Sequence, residues 1–117
     1  MHRYKDMLIW KESMDLVEQI YLISDKFPKT EQFGLSSQIR RSAVSIPSNI
    51  AEGAGRNSDP EMKRFLHYAM GSIYELNTQL MLASRIGYIN NEDAEKLEKR
   101  IEQIVKMMQN FKNQLPV

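Results

Sequence analysis

Apolar positions recur at helical intervals along almost the whole chain, and no stretch alternates as a half-buried strand would. The clearest run is Met62, Leu66, Ala69, Ile73, Leu76, Leu80, Ala83 and Gly87, an unbroken heptad seam of the kind that lines helix bundles. Leu97, Ile101, Ile104, Met108, Phe111 and Leu115 repeat the pattern. Earlier, Trp10, Met14, Val17 and Tyr21 mark a helix from about Ile9 to Lys26, with Leu16, Ile20 and Ile23 beside that stripe. Leu35, Ile39, Ser42/Ala43, Ile46, Ile50 and Gly53 mark another, from about Phe33 into the Gly53 region.

The breaks between these runs carry stop and start signals. Pro28 ends the first helix, because the residue before a proline is pushed out of helical geometry. Glycines in the run Gly53-Ala54-Gly55-Arg56-Asn57-Ser58 are expected to end the second by supplying a left-handed residue. Ser58 or Asp59 caps the third, with Pro60 in its first turn and Glu61 at capping-box spacing from Ser58. Asn90 or Asn91 caps the fourth. Pro47 lies inside the second helix, where it removes a donor and crowds the Ala43 carbonyl, so a kink is expected there. The prediction is an all-α, antiparallel up-down four-helix bundle, helix 2 kinked near Pro47, as a single domain over residues 1–117.

The composition narrows the chemistry. The chain has 117 residues, no cysteine and two histidines, His2 and His67, which excludes disulfides, thiolate catalysis and cysteine-held metals. A bundle di-metal site needs Glu-x-x-His on facing helices, and that sequence does not occur. Glu52 and Glu75 could face one another, but two carboxylates without histidines more often meet arginines, here Arg40 or Arg41. The Gly53–Ser58 run follows a helix rather than a strand, so it is not a phosphate-binding loop. No metal, cofactor or catalytic residue is expected, and the reading is of a non-enzyme. The short run Met7-Leu8-Ile9-Trp10 is neither a leader nor a membrane span, which leads to an expectation of a cytoplasmic protein without a membrane partner.

Two surface features remain. Helix 3 carries a second stripe, Met70, Tyr74, Met81 and Tyr88, which is either part of a deeply buried helix or a subunit interface. Arg40, Arg41, Arg56, Lys63 and Arg64 could together contact phosphates, although Glu52, Asp59 and Glu61 are interleaved with them. The net charge of +1 bounds the average charge, not the patch.

The stretch from Phe33 to Arg56, above all Arg40-Arg41 and Ile46-Pro47-Ser48-Asn49-Ile50-Ala51-Glu52-Gly53, resembles the 23S rRNA-intervening sequence protein family. Trp10-Lys11, Tyr21, Phe27-Pro28, Arg64-Phe65-Leu66, Ala69, Gly71-Ser72, Glu75-Leu76 and Gly87-Tyr88 agree with it, whereas Phe33 and Asn77 depart from the family's tyrosine and acid. The resemblance implies a bacterial four-helix bundle assembling as a homopentamer, with no known enzymatic activity. It also implies kinship with the accessory variability determinant of diversity-generating retroelements, a basic pentamer that binds nucleic acid. The expected function is therefore a non-catalytic, homopentameric accessory protein with RNA or DNA as partner. The alternative is a protein-only scaffold that binds a protein partner and no nucleic acid.

Overall fold

The computed structural model describes residues 2–116, and among them there are four α-helices and no strand. Helix α1 spans Leu8–Ser24, α2 Leu35–Gly55, α3 Asp59–Arg85 and α4 Asn91–Gln114. Single 3-10 turns at Tyr4–Asp6 and Lys29–Glu31 precede α1 and α2. Each helix packs on its neighbours in the order α1, α2, α3, α4 and back to α1, which gives an antiparallel bundle of 44 × 24 × 20 Å. The 27 residues of α3, at about 1.5 Å rise each, run nearly its full length.

The seams of α3 and α4 form the core as their spacing predicts: Met62, Leu66, Ala69, Ile73, Leu76, Leu80 and Ala83 are buried, and so are Leu97, Ile101, Ile104 and Met108. Helix α1 departs from expectation. Its buried face is Ile9, Ser13, Leu16, Ile20 and Ser24, while Trp10, Met14, Val17 and Tyr21 turn toward the outer side of α2. The true seam is masked by its serines, which are tolerated because Ser13 satisfies its own hydroxyl on the Ile9 carbonyl at 2.6 Å and Ser24 bonds the Tyr21 carbonyl. Across the α1–α4 seam, Arg100 reaches Glu12 at 3.0 Å and Asp15 at 3.7 Å.

The helix ends follow local chemistry. The Ser58 hydroxyl accepts the Glu61 amide at 3.3 Å, and the Asn90 side chain accepts the Asp93 amide at 2.8 Å. At the end of α3, Gly87 has φ +87°, and the Tyr88 amide reaches back to the Ala83 carbonyl at 2.8 Å, which closes a Schellman turn. The end of α2 differs from the glycine-based expectation. Asn57 takes the left-handed conformation, φ 59°, while Gly53 and Gly55 remain helical. Asparagine tolerates that region because its short polar side chain bonds locally. Helix α2 continues without interruption through Pro47.

Gly53 has a different task. A Cβ on it would lie 2.8 Å from the Cβ of Phe65, so α2 and α3 cross too closely there for any side chain. Gly71, on the outer side of α3, has nothing within 4 Å of such a Cβ. The two glycines therefore respond oppositely to alanine. Gly53→Ala is expected to destabilise the fold by about 1–3 kcal/mol through overpacking. Gly71→Ala is expected to stabilise it by about 0.5–1 kcal/mol through helix propensity. Urea or thermal unfolding followed by circular dichroism reads both signs.

Candidate interaction surfaces

Ser42, Ser45 and Asn49 of α2 lie along the crossing with α3, while Arg41, Ser48, Glu52 and Arg56 are exposed. The Ser42 hydroxyl lies 2.6 Å from the Glu75 carboxylate and 2.9 Å from Gln79, and Ser45 bonds Ser72 at 2.8 Å. Asn49 donates to the Ser45 carbonyl at 2.8 Å. Small hydroxyls allow the close crossing with α3 and bridge it at the same time. Ser42 has one proton, and the carboxylate is the stronger acceptor, so Glu75 is held by α2 itself. The expected pairing of Glu75 with Arg40 or Arg41 does not form for that reason.

The five basic residues do not gather into one patch. Arg40 lies on the α1 side of α2, where its Nε donates to Ser24 at 2.8 Å and its guanidinium sits 4.7 Å from the Tyr21 ring centre. Arg56 pairs with Glu52 at 3.0 Å and stacks over Phe65. Arg64 donates to the Tyr68 hydroxyl at 2.9 Å and pairs with Glu61 at 3.3 Å. The Tyr68 hydrogen bond first, then Glu61, raises the Arg64 pKa above its ordinary value, which keeps it charged at any working pH. Arg41 is exposed, Lys63 half-buried, and neither has an ion pair among the described residues. Their surroundings hold no metal candidate: among the described residues no three histidine, aspartate or glutamate side chains come together.

The second stripe of α3 divides in two. Tyr74 and Met81 are about half exposed, Met70 is half-buried against the core, and Met81 borders a groove of α3 and α4 with Asn77, Ser84, Ala94 and Glu98. Tyr88 lies apart from them. Its ring packs on Phe27 with 5.4 Å between centroids, and its hydroxyl donates to Glu31 at 2.9 Å. The other oxygen of Glu31 accepts the Leu35 amide at 3.2 Å, so one carboxylate ties the α3–α4 turn to the start of α2.

A second apolar surface was hidden in the sequence by the misassigned α1 seam. Trp10, Met14 and Val17 of α1 with Val44, Pro47 and Ala51 of α2 line an open groove, flanked by Tyr21. Because the helices follow one another around the bundle, the α1–α2 groove and the α3–α4 groove lie on opposite sides. Val44, an apolar residue outside the Leu35–Gly53 stripe, was the signal available. Among the described residues, no helix is long and apolar enough to cross a membrane.

An all-α four-helix bundle is the class of protein that this geometry defines. The 23S rRNA-intervening sequence protein model matches residues 5–110, and the chain belongs to that family. A crystal structure at 1.70 Å of a protein of unknown function from the S23 ribosomal protein family, from Bacteroides thetaiotaomicron VPI-5482, has the same fold. Its TM-score is 0.83 at 24% identity, covering 90% of this chain and 98% of that one. No curated protein matches the sequence.

The Glu31–Tyr88 bond has a pH consequence. That hydrogen bond first, then desolvation and the Glu31 charge, raises the Tyr88 phenol above its ordinary value. A raised acid favours the folded state while protonated, so its contribution is complete below the unfolded value of about 10 and is lost as pH rises through the higher folded value. Tyr88→Phe is expected to melt lower than wild type at neutral pH. The difference should close at strongly alkaline pH, as read by paired thermal melts across the tyrosine titration range.

Proposed function

We propose that this protein is a non-catalytic accessory protein that works as a closed homo-oligomeric ring. The observation that carries the reading is an apolar groove between α1 and α2 on one side of the bundle and, on the other, the half-exposed Tyr74–Met81 stripe of α3 beside a groove of mixed polarity. A surface that fits a different surface of the next copy makes a heterologous contact, and repeated heterologous contacts close into a ring when the rotation permits. The occupant of the α1–α2 groove is thus the Met70–Tyr74–Met81 side of a second copy. Large exposed apolar faces are uncommon on monomers, and burying each large side chain contributes about 1.5–3 kcal/mol. The number of five subunits follows from the family resemblance. Tyr88, engaged with Phe27 and Glu31, supports the fold at the margin of this contact.

Sedimentation velocity tests it with two complementary variants. Tyr74→Glu with Met81→Glu removes one face, and Val44→Glu removes the other. Each alone is expected to weaken assembly by more than about a hundredfold, since a buried unpaired charge costs several kcal/mol, while helicity is unchanged. Mixed together, they should form a heterodimer and stop, because one intact groove meets one intact stripe. A wild-type monomer at tens of micromolar overturns the reading, and so does a mixture that forms nothing.

Nucleic acid is the second reading, and Arg41 is the observation favouring it: an exposed arginine without an internal ion pair, repeated once per subunit around a ring. Arg56 and Arg64 meet over Phe65, although each is partly neutralised, by Glu52 and Glu61. Binding of RNA or DNA to the ring should fall steeply with salt and weaken on Arg41→Ala, as phosphate contacts require. Capture of a protein partner that survives nuclease, with no nucleic-acid binding at low salt, selects the protein-only scaffold.

A further inference from the structure

A polar pocket of about 230 Å³ opens at the end of the bundle, between the last turn of α1, the 3-10 turn and the start of α2. Ser24, Asp25, Lys29, Gln32, Ser36 and Arg40 line it beside Phe27 and Pro28. Neither apolar groove includes any of these residues.

Ser36 is the anomaly. Four serines are buried, and three of them, Ser13, Ser24 and Ser42, use their hydroxyls in hydrogen bonds within the chain. Ser36 is 6% exposed, faces this pocket, and its hydroxyl has no hydrogen-bond partner among the described residues. Its oxygen is open to the pocket rather than sealed, since Arg100 Nε is the one fully buried side-chain polar atom without a partner among the described residues. Ser36 also stands in the first turn of α2, a 21-residue helix whose Gly34 cap offers no side-chain acceptor. Glu31 takes the Leu35 amide and the Gly34 carbonyl takes the Gln38 amide. The amides of Ser36 and Ser37 between them have no acceptor among the described residues.

Positive charge faces the same space. Lys29 is exposed without an ion pair among the described residues, and Arg40 lines the wall one helical turn beyond Ser36. Arg40 spends its Nε on Ser24 and reaches Asp25 only at 3.9 Å, on a carboxylate that is mostly in solvent. Glu31, the other nearby acid, has one oxygen on the Leu35 amide and one under the Tyr88 hydroxyl. Beside the Asp25 carboxylate and the Gln32 amide, the pocket presents the Arg40 guanidinium, the Lys29 ammonium and the Ser36 hydroxyl, next to a helix turn with two amides that lack a backbone acceptor.

We propose that this pocket is a binding site for a phosphate group, as inorganic phosphate or as a phosphomonoester. The donors outnumber what the two oxygens of a carboxylate accept, and they match an anion with three or four. The positive end of the α2 dipole adds to the attraction. The site is independent of ring formation, because its residues come from one chain and lie at the bundle end.

Equilibrium dialysis of the full chain with radiolabelled inorganic phosphate, at constant ionic strength, tests it. Saturable binding of one phosphate per chain is expected. Lys29→Gln should weaken it about tenfold, the loss of one charge-assisted contact. Ser36→Ala should weaken it several-fold without lowering the melting temperature, because the hydroxyl bonds nothing in the unliganded chain. A 5′-phosphorylated oligoribonucleotide that competes better than its 5′-hydroxyl counterpart assigns the phosphate to a nucleic-acid end. Equal competition by both assigns the site to free phosphate or small phosphomonoesters. Absence of saturable binding, or binding unchanged in both variants, overturns the proposal.

Discussion

The close crossing of α2 and α3 is the constraint on which the rest of this structure depends. Gly53 leaves no room for a side chain against Phe65, and the Ser45–Ser72 and Ser42–Glu75 bonds tie the two helices along their length. Shortening the distance between two helices raises the packing density of the core they share, but it also consumes their polar residues. Ser42 and Ser45 of α2 are polar bridges of the helix pair, and Asn49 holds Ser45 from within α2. Helices α1 and α4 complete the core from either side, and their outer grooves with α2 and α3 stay open.

That arrangement explains why the charges of the molecule resist a simple reading. Acids and bases nearly cancel over the chain, and most of the arginines are tied to a neighbouring acid, hydroxyl or ring within a turn or across a seam. Such exposed pairs add little stability, generally well under about 1 kcal/mol each, but they do disperse the field. Among the described residues the cations without an ion pair include Arg41 on the outer side of α2, Lys63 on α3 and Lys29 at the bundle-end pocket. The α1–α2 groove and the α3–α4 groove bordered by Met81 lie on opposite flanks.

Local capping decides how firmly the ends are held. Ser58 and Asn90 each close a helix start through one side-chain hydrogen bond, and Gly87 closes a helix end through its positive φ. The start of α2 is different. It borrows the carboxylate of Glu31, and a Cβ on Gly34 would lie 2.7 Å from that carboxylate, so glycine is what lets the acid fold in. Glu31 in turn holds Tyr88 on Phe27. The same borrowed cap leaves the amides of Ser36 and Ser37 without a backbone acceptor among the described residues.

The sequence by itself determined the four helices, their core seams in α3 and α4, the caps at Ser58 and Asn90, and membership of a recognisable family. These follow from periodicity and short-range hydrogen bonding, which are properties of neighbouring residues. Three matters were decided only by the tertiary structure. Helix α1 buries Ser13 and Ser24 rather than Met14 and Tyr21, because intrachain hydrogen bonds satisfy those serines and two apolar stripes compete on one helix. Glu75 meets Ser42 rather than an arginine, because the depth of the α2–α3 crossing brings the hydroxyl nearer than any guanidinium. The donors around Ser36 converge because a turn, a helix start and a helix end meet there, and no spacing along one element encodes a meeting of three.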